Sequence, residues 1–402
     1  AKMLYQLSLR VNPNDPVTHF IYAGFLSETE EYQEALRSYK AALDLNSKYV
    51  SALQAYAILL SEQGPTDKAK LKFEEALELD PNNVPVLSAY AVFLSKRKSS
   101  DSWREAERLF QRALQIEPNH IQSLISYALL LKRIKRLEDA DKKFSKAVST
   151  GDRLAAQAYG VFLQEQRKYD LAKELFDRAF YPNPRQHKQR LHNAMVSNAY
   201  AILLDKMAAP LEEIAKRFEM ALSLKPVDRK SIFHLVLTHK RYGEILCKHQ
   251  KYTEAGQHFE AAIKLERENT YVRNSYARCL MQQGHFEAAL AQYEIVLERF
   301  GTQEHALGGA AKALCELNRY PEAFKYFERA LTNNRNNIHI LFPYLEALID
   351  VLARQRGEGT IDQALADRAI EIRDQLRKLR PGNPRVKRLS DRLQQLGIDN
   401  SG

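Results

Sequence analysis

Three groups of residues in this chain could do chemistry: scattered His and Cys, a recurring Tyr, and runs of Lys and Arg. A metal pair on a helix needs two ligands four residues apart, on one face. His234 and His239 are five apart and Cys247 and His249 two apart, so neither pair shares a face. Gly357-Glu358-Gly359 has no third glycine and no following Lys-Ser/Thr, so it is not a phosphate loop. Cys247, Cys279 and Cys315 are too few and too dispersed for a disulfide framework or a structural zinc site. The expectation is a protein with no catalytic residues, metal or cofactor. Reduced thiols, no secretory signal and no membrane-length apolar stretch predict a reducing cytoplasmic or nuclear setting.

The tyrosines have a different logic. Tyr22, Tyr56, Tyr90, Tyr127, Tyr159, Tyr200, Tyr242 and Tyr276 are each followed by Ala or Gly, and then, three residues later, by Leu. Several spacings, 22 to 56, 56 to 90 and 242 to 276, are 34 residues. Leu53, Tyr56, Ala57 and Leu60 fall on one helical face, and Ala69, Phe73 and Ala76 on the face of a following helix. Alanines let two antiparallel helices approach, and Pro81, Pro118 and Pro226 follow helices that they end. At this period the tyrosines are core side chains whose hydroxyls reach the surface.

The second half of each period also returns: Tyr32, Ala35, Tyr39, Ala42; then Tyr252, Ala255, Phe259, Ala262; then Tyr320, Ala323, Phe327, Ala330. The pattern resembles the tetratricopeptide repeat over nearly the whole chain. Half-a-tetratricopeptide repeats of RNA-processing assemblies share the Ala–Phe–Ala helix, but the 34-residue spacing and the prolines fit the former better. The resemblance implies an all-α, right-handed superhelical solenoid of about ten helix–turn–helix units, since one hairpin cannot bury its own apolar face.

Nine units are expected: 16–49, 50–83, 84–120, 121–152, 153–186, 194–228, 236–269, 270–303 and 304–337. Residues 98–102 lengthen the third at its turn, and 187–193 and 229–235 extend the first helices that follow them. An imperfect tenth unit covers 338–383, with a turn insertion at 354–360, and 384–402 holds a capping helix and tail. Residues 1–15 match the second helix of a unit, with Ala1, Tyr5, Ser8 and Pro13 in phase with Ala69, Phe73, Ala76 and Pro81. A chain of this kind is expected to be part of a longer protein.

The resemblance implies that first helices line a concave groove in which partners lie. The residue before each Tyr is mostly small, including Ala55, Ala89 and Ser126, and lacks the Asn ladder of arrays joined to a glycosyltransferase. Two residues after each Tyr runs a second line: Ile58, Val92, Leu129, Val161 and Ile202, then Glu244, Arg278 and Lys312. The apolar part suits a protein segment. With Lys240 and Asn274, the charged part could take an acidic segment. The two-carboxylate clamp of chaperone-binding relatives fails here: Lys240 fits, but Glu244, Ser275, His305 and Gly309 do not.

Charge is uneven along the chain. Residues 1–94 hold 8 Lys/Arg against 12 Asp/Glu, and 95–192 hold 21 against 12. The excess clusters at turns, as Lys96, Arg97, Lys98, Lys132, Arg133, Lys135, Arg136, Arg167 and Lys168. Aligned turns would make a basic ridge able to hold nucleic acid or another polyanion, or only a solvated face. Three functions follow. The leading one is a non-enzymatic scaffold or adaptor in a multi-protein complex, gripping a protein segment in its groove. The others are an RNA-associated repeat protein and the substrate-recruiting arm of an enzyme.

Overall fold

A computed structural model describes residues 1–64 and 66–398, which form 22 helices and no strand. Pro65 and the last four residues of the 384–402 segment lie outside them. The chain divides into two compact units, 1–185 and 186–402. The first holds α1 (Lys2–Val11), then five pairs: α2 (Pro16–Glu28) with α3 (Tyr32–Leu45), α4 (Val50–Gln63) with α5 (Thr66–Leu79), α6 (Val84–Ser95) with α7 (Ser100–Ile116), α8 (Ile121–Arg133) with α9 (Leu137–Ser149), and α10 (Arg153–Glu165) with α11 (Tyr169–Ala179). The second holds α12 (His187–Lys206) with α13 (Leu211–Leu222), α14 (Arg229–Lys248) with α15 (Tyr252–Leu265), α16 (Thr270–Gln282) with α17 (Phe286–Arg299), α18 (Glu304–Glu316) with α19 (Tyr320–Asn333), and α20 (Ile338–Gly357) with α21 (Gln363–Leu379), closed by α22 (Pro384–Gln395).

Local chemistry sets the helix ends. Several first helices start on a capping side chain: Asn83 Oδ1 accepts from the Val86 N–H at 3.1 Å, Asp152 from Ala155 at 2.8 Å and Asn269 from Val272 at 3.1 Å. They end in a shared turn. The N–H of Arg136 donates to the Leu131 carbonyl at 2.9 Å, and Lys168, Lys251 and Arg319 do the same to Leu163, Leu246 and Leu314. The preceding residues, Lys135, Arg167, Gln250 and Asn318, are left-handed at φ 65°, 60°, 60° and 58°, with Gly284 in the equivalent place. The repeated Leu therefore has two roles. Its side chain is buried, and its carbonyl closes the turn.

Successive repeats are joined by an aromatic stack. The Phe of a second helix is fully buried and lies on the Tyr of the next first helix. Centroid distances are 5.3 Å for Phe73–Tyr90, 5.6 Å for Phe110–Tyr127, 4.8 Å for Phe218–Tyr242 and 5.0 Å for Phe327–Tyr344. Each such pair adds about 0.5–1.5 kcal/mol beyond its buried area. The small residue after the Tyr is needed for close approach: a Cβ at Gly160 would come within 2.8 Å of the Phe176 ring.

Within each unit the first helices also touch one another. Contacts join α2, α4, α6, α8 and α10 in series, and likewise α12, α14, α16, α18 and α20, whereas second helices such as α3 and α5 do not meet. The first helices are thus the more closely spaced layer within each unit. Ser100–Ser102, expected in a longer turn, are the first residues of α7, and Arg354–Gly357 are the last of α20. Segments 187–193 and 229–235 lie in α12 and α14. In α22, Val386, Leu389 and Leu393 are buried. Among the described residues no helix is long and apolar enough to cross a membrane.

Candidate binding groove

The first-helix face differs between the two units. In residues 1–185, Ile58 and Leu129 are 38% and 47% exposed, Val92 and Val161 are half-buried, and Ser126 is buried, accepting from Gln122 Nε2 at 3.0 Å. Ile58, Ala89 and Val92 meet across α4 and α6, where they line a cavity of about 360 Å³ with Phe73 beneath them. Ser88, Pro85, Phe93 and His120 also line it, and the sequence reading did not single them out.

In the second unit Ile202 is half-buried, and the charged line closes on itself. Glu244 Oε1 accepts from Lys240 Nζ at 2.9 Å, Ser275 Oγ at 2.6 Å and Arg278 at 3.1 Å. Asn274 Nδ2 donates to Gln303 Oε1 at 3.0 Å, and Lys312 is exposed. Glu244 thus offsets charge that would otherwise attract an acidic segment.

One expectation is corrected here. The three cysteines are not all unpaired thiols: Cys247 in α14 and Cys279 in α16 form a disulfide with Cα atoms 6.0 Å apart. Consecutive first helices touch, so two cysteines 32 residues apart, close to one period, meet side by side. Gln282 Oε1 lies 3.1 Å from Cys247 Sγ, an approach that becomes a hydrogen bond only when the pair is reduced to thiols. Cys315 remains free, its thiol pushed up to about 12 by burial.

The histidines also pair differently from their sequence neighbours. His239 on α14 and His258 on α15 approach through their Nδ1 atoms at 2.9 Å. Burial, and then the nearby His258, hold His239 down at about 4. The tyrosines are structural: burial and then the Glu107 hydrogen bond push Tyr127 up to about 12, so its phenol stays protonated.

The basic residues stand at first-helix ends and turns, and three of the nine lie beside acidic partners. Lys132 pairs with Glu165 at 2.6 Å, and Arg136 with both Glu107 and Asp139 at 2.7 Å. Arg97 lies 3.9 Å from Asp67 and over the Phe93 ring. Arg133 donates to the Ser95 carbonyl. Lys96, Lys98, Lys135, Arg167 and Lys168 are exposed.

Comparison with known families agrees with this architecture. Residues 246–315 match the family described as tetratricopeptide repeat, and 16–83 match YpiA-like, C-terminal tetratricopeptide repeats. The chain carries tetratricopeptide repeats in both stretches. Among solved structures, the human IFIT1 dimer with m7Gppp-AAAA matches with TM-score 0.55 and 14% identity, over 95% of this chain and 90% of that one. A monomeric IFIT1 mutant with Gppp-AAAA gives 0.56 and 14% over the same shares. Yeast Tom70 gives 0.47 and 14%, over 99% of this chain and 91% of that one. At such identities the IFIT1 likeness is one of fold. No curated protein matches the chain.

Proposed function

We propose that this protein is a non-enzymatic scaffold that holds a segment of a partner protein against the first-helix face of residues 1–185. The supporting observation is the apolar cavity between α4 and α6, with Ile58 and Leu129 exposed on that face. Exposed apolar side chains around a concavity favour a protein ligand over water. In a test, peptides would be selected from a random library on the intact chain and rebound to Ile58→Glu with Val92→Glu. The reading expects binding to fall at least tenfold with helicity unchanged; unchanged binding would sink it.

The polyanion reading is weaker. Lys132 and Arg136 are held by carboxylates, and Arg133 by a backbone carbonyl. The IFIT1 structures carry capped oligonucleotides, but their resemblance to this chain is one of fold alone. Salt-sensitive RNA binding that vanishes on charge reversal at Lys132, Arg133, Lys135 and Arg136 would restore it.

A further inference from the structure

We infer that Arg241, on α14, is an anchor for a carboxylate side chain of a partner protein segment. The inference concerns residues 186–402 and does not rest on the reading of the α4–α6 face. Position is its first support. Arg241 stands immediately before a repeated Tyr, where other repeats carry uncharged and mostly small residues such as Ala55, Ala199 and Ser275. Packing of neighbouring first helices is served there by small side chains and does not call for a guanidinium. Buried polar groups hold this one in place. Arg241 Nη1 donates to Asn198 Oδ1 on α12 at 2.7 Å. Asn198 Nδ2 in turn donates to the Thr238 hydroxyl at 2.5 Å, and that hydroxyl donates to the His234 carbonyl at 2.7 Å. Asn198 is 5% exposed and Thr238 2%. The chain of bonds fixes the guanidinium before any ligand arrives, which lowers the ordering cost of binding.

Charge names the ligand. Arg241 is half-buried and makes no ion pair among the described residues. Burial pulls it below the usual guanidinium range, and Glu244, the one carboxylate among the described residues whose charge acts on it, restores only part. Glu244 turns Oε1 to Lys240, Ser275 and Arg278 and makes no hydrogen bond with Arg241. A partly desolvated guanidinium with four of its five N–H donors free of protein partners gains from a carboxylate, which accepts two of them side by side. His234, lowered by burial and then by Arg241, adds no charge at neutral pH. A doubly charged phosphate fits less well, because Lys240 is already paired and Glu244 would face the second charge. Asn198 draws the guanidinium toward a buried amide, so a carboxylate on a side-chain arm reaches it better than a chain terminus does. Glu244, Ser275 and Arg278 line a neighbouring cavity of about 580 Å³, which leaves room for the segment to continue.

The test uses the intact chain with isotope-labelled arginine side chains, titrated with blocked Ala-Glu-Ala, blocked Ala-Gln-Ala, Ala-Ala-Ala with a free C-terminus, and inorganic phosphate. The expected result is movement of the Arg241 Nε signal, with Ala-Glu-Ala binding about fivefold more tightly than each of the other three. Arg241→Gln, with helicity unchanged, should level the Glu and Gln peptides. Arg241→Lys, which keeps the charge and loses the planar fork, should retain part of the preference. Equal affinity for Glu and Gln in the wild type overturns the inference, and that comparison needs no variant. A Glu preference that survives Arg241→Gln overturns it too, as does binding that leaves the Arg241 signal unmoved. Phosphate or the free C-terminus binding as tightly as Ala-Glu-Ala would also overturn it.

Discussion

The His239–His258 contact makes repeat 236–269 sensitive to mild acid. The two Nδ1 atoms, 2.9 Å apart, can share only one proton, and the Tyr242 ring lies 4.4 Å from His258. Glu254 opposes the burial that lowers His258. In the unfolded chain His239 takes a proton near 6.5, but in the fold only near 4. Between those values the unfolded state binds more protons, so stability is intact above pH 7 and falls as pH falls. Linkage puts the full effect at about 2 kcal/mol by pH 5. The ring keeps some contact with solvent, so roughly half of this, about 1 kcal/mol, is expected. Because repeat arrays open piecewise, hydrogen-exchange protection in α14 and α15 is the appropriate assay, compared at pH 7.5 and 5. Protection there should drop about fivefold relative to α18 and α19. His239→Asn, which offers an amide nitrogen near the Nδ1 position and does not titrate, should remove most of the drop. A His239 ring that titrates near 6.5 in the native protein would refute the reasoning.

Other consequences follow from turns and sulfur. Lys135 and Arg167 sit at positive φ, where Gly284 stands in a sister repeat. Lys135→Gly and Arg167→Gly should each raise stability by about 0.5 kcal/mol, and Gly284→Ala should cost about 1 kcal/mol, read from urea midpoints. Thiol titration of the unfolded, unreduced protein should count one group, Cys315, of the three cysteines; three reactive thiols would contradict the Cys247–Cys279 bond. Reduction should weaken the second unit by up to roughly 3–4 kcal/mol, since the bond closes a loop of 32 residues.

Much of the fold was legible in the residues because a repeat writes its geometry locally. The Tyr-small-x-x-Leu phrase marks first helices, and Ala–Phe–Ala the second. Helix spacing put Leu53, Ala57 and Leu60 on one face, and all three are buried. The insertions were harder. Ser100–Ser102 break the period but not the helix, because nothing in that turn stops α7 from winding one turn earlier. The groove lines named from sequence include Ile58, Ala89 and Val92, which meet at one cavity, yet Ser88 escaped notice. A serine on a helix carries no sign of whether its hydroxyl has a partner.

The sequence alone determined the unit: its period, its two helices and the buried Leu that recurs near the end of the first. These depend on torsions and contacts within a few residues or one period. Only the tertiary structure decided what stands beside what across repeats. The distance between successive first helices brought Cys247 to Cys279, and side-chain reach let Glu244 gather Lys240, Ser275 and Arg278. Packing of α14 on α15 brought His239 to His258. Charge counts read from the chain could not show that Lys132 and Arg136 face carboxylates while Lys96 does not. Those pairings depend on the spacing and rotation of one helix pair against the next, and packing sets these quantities, not local propensity.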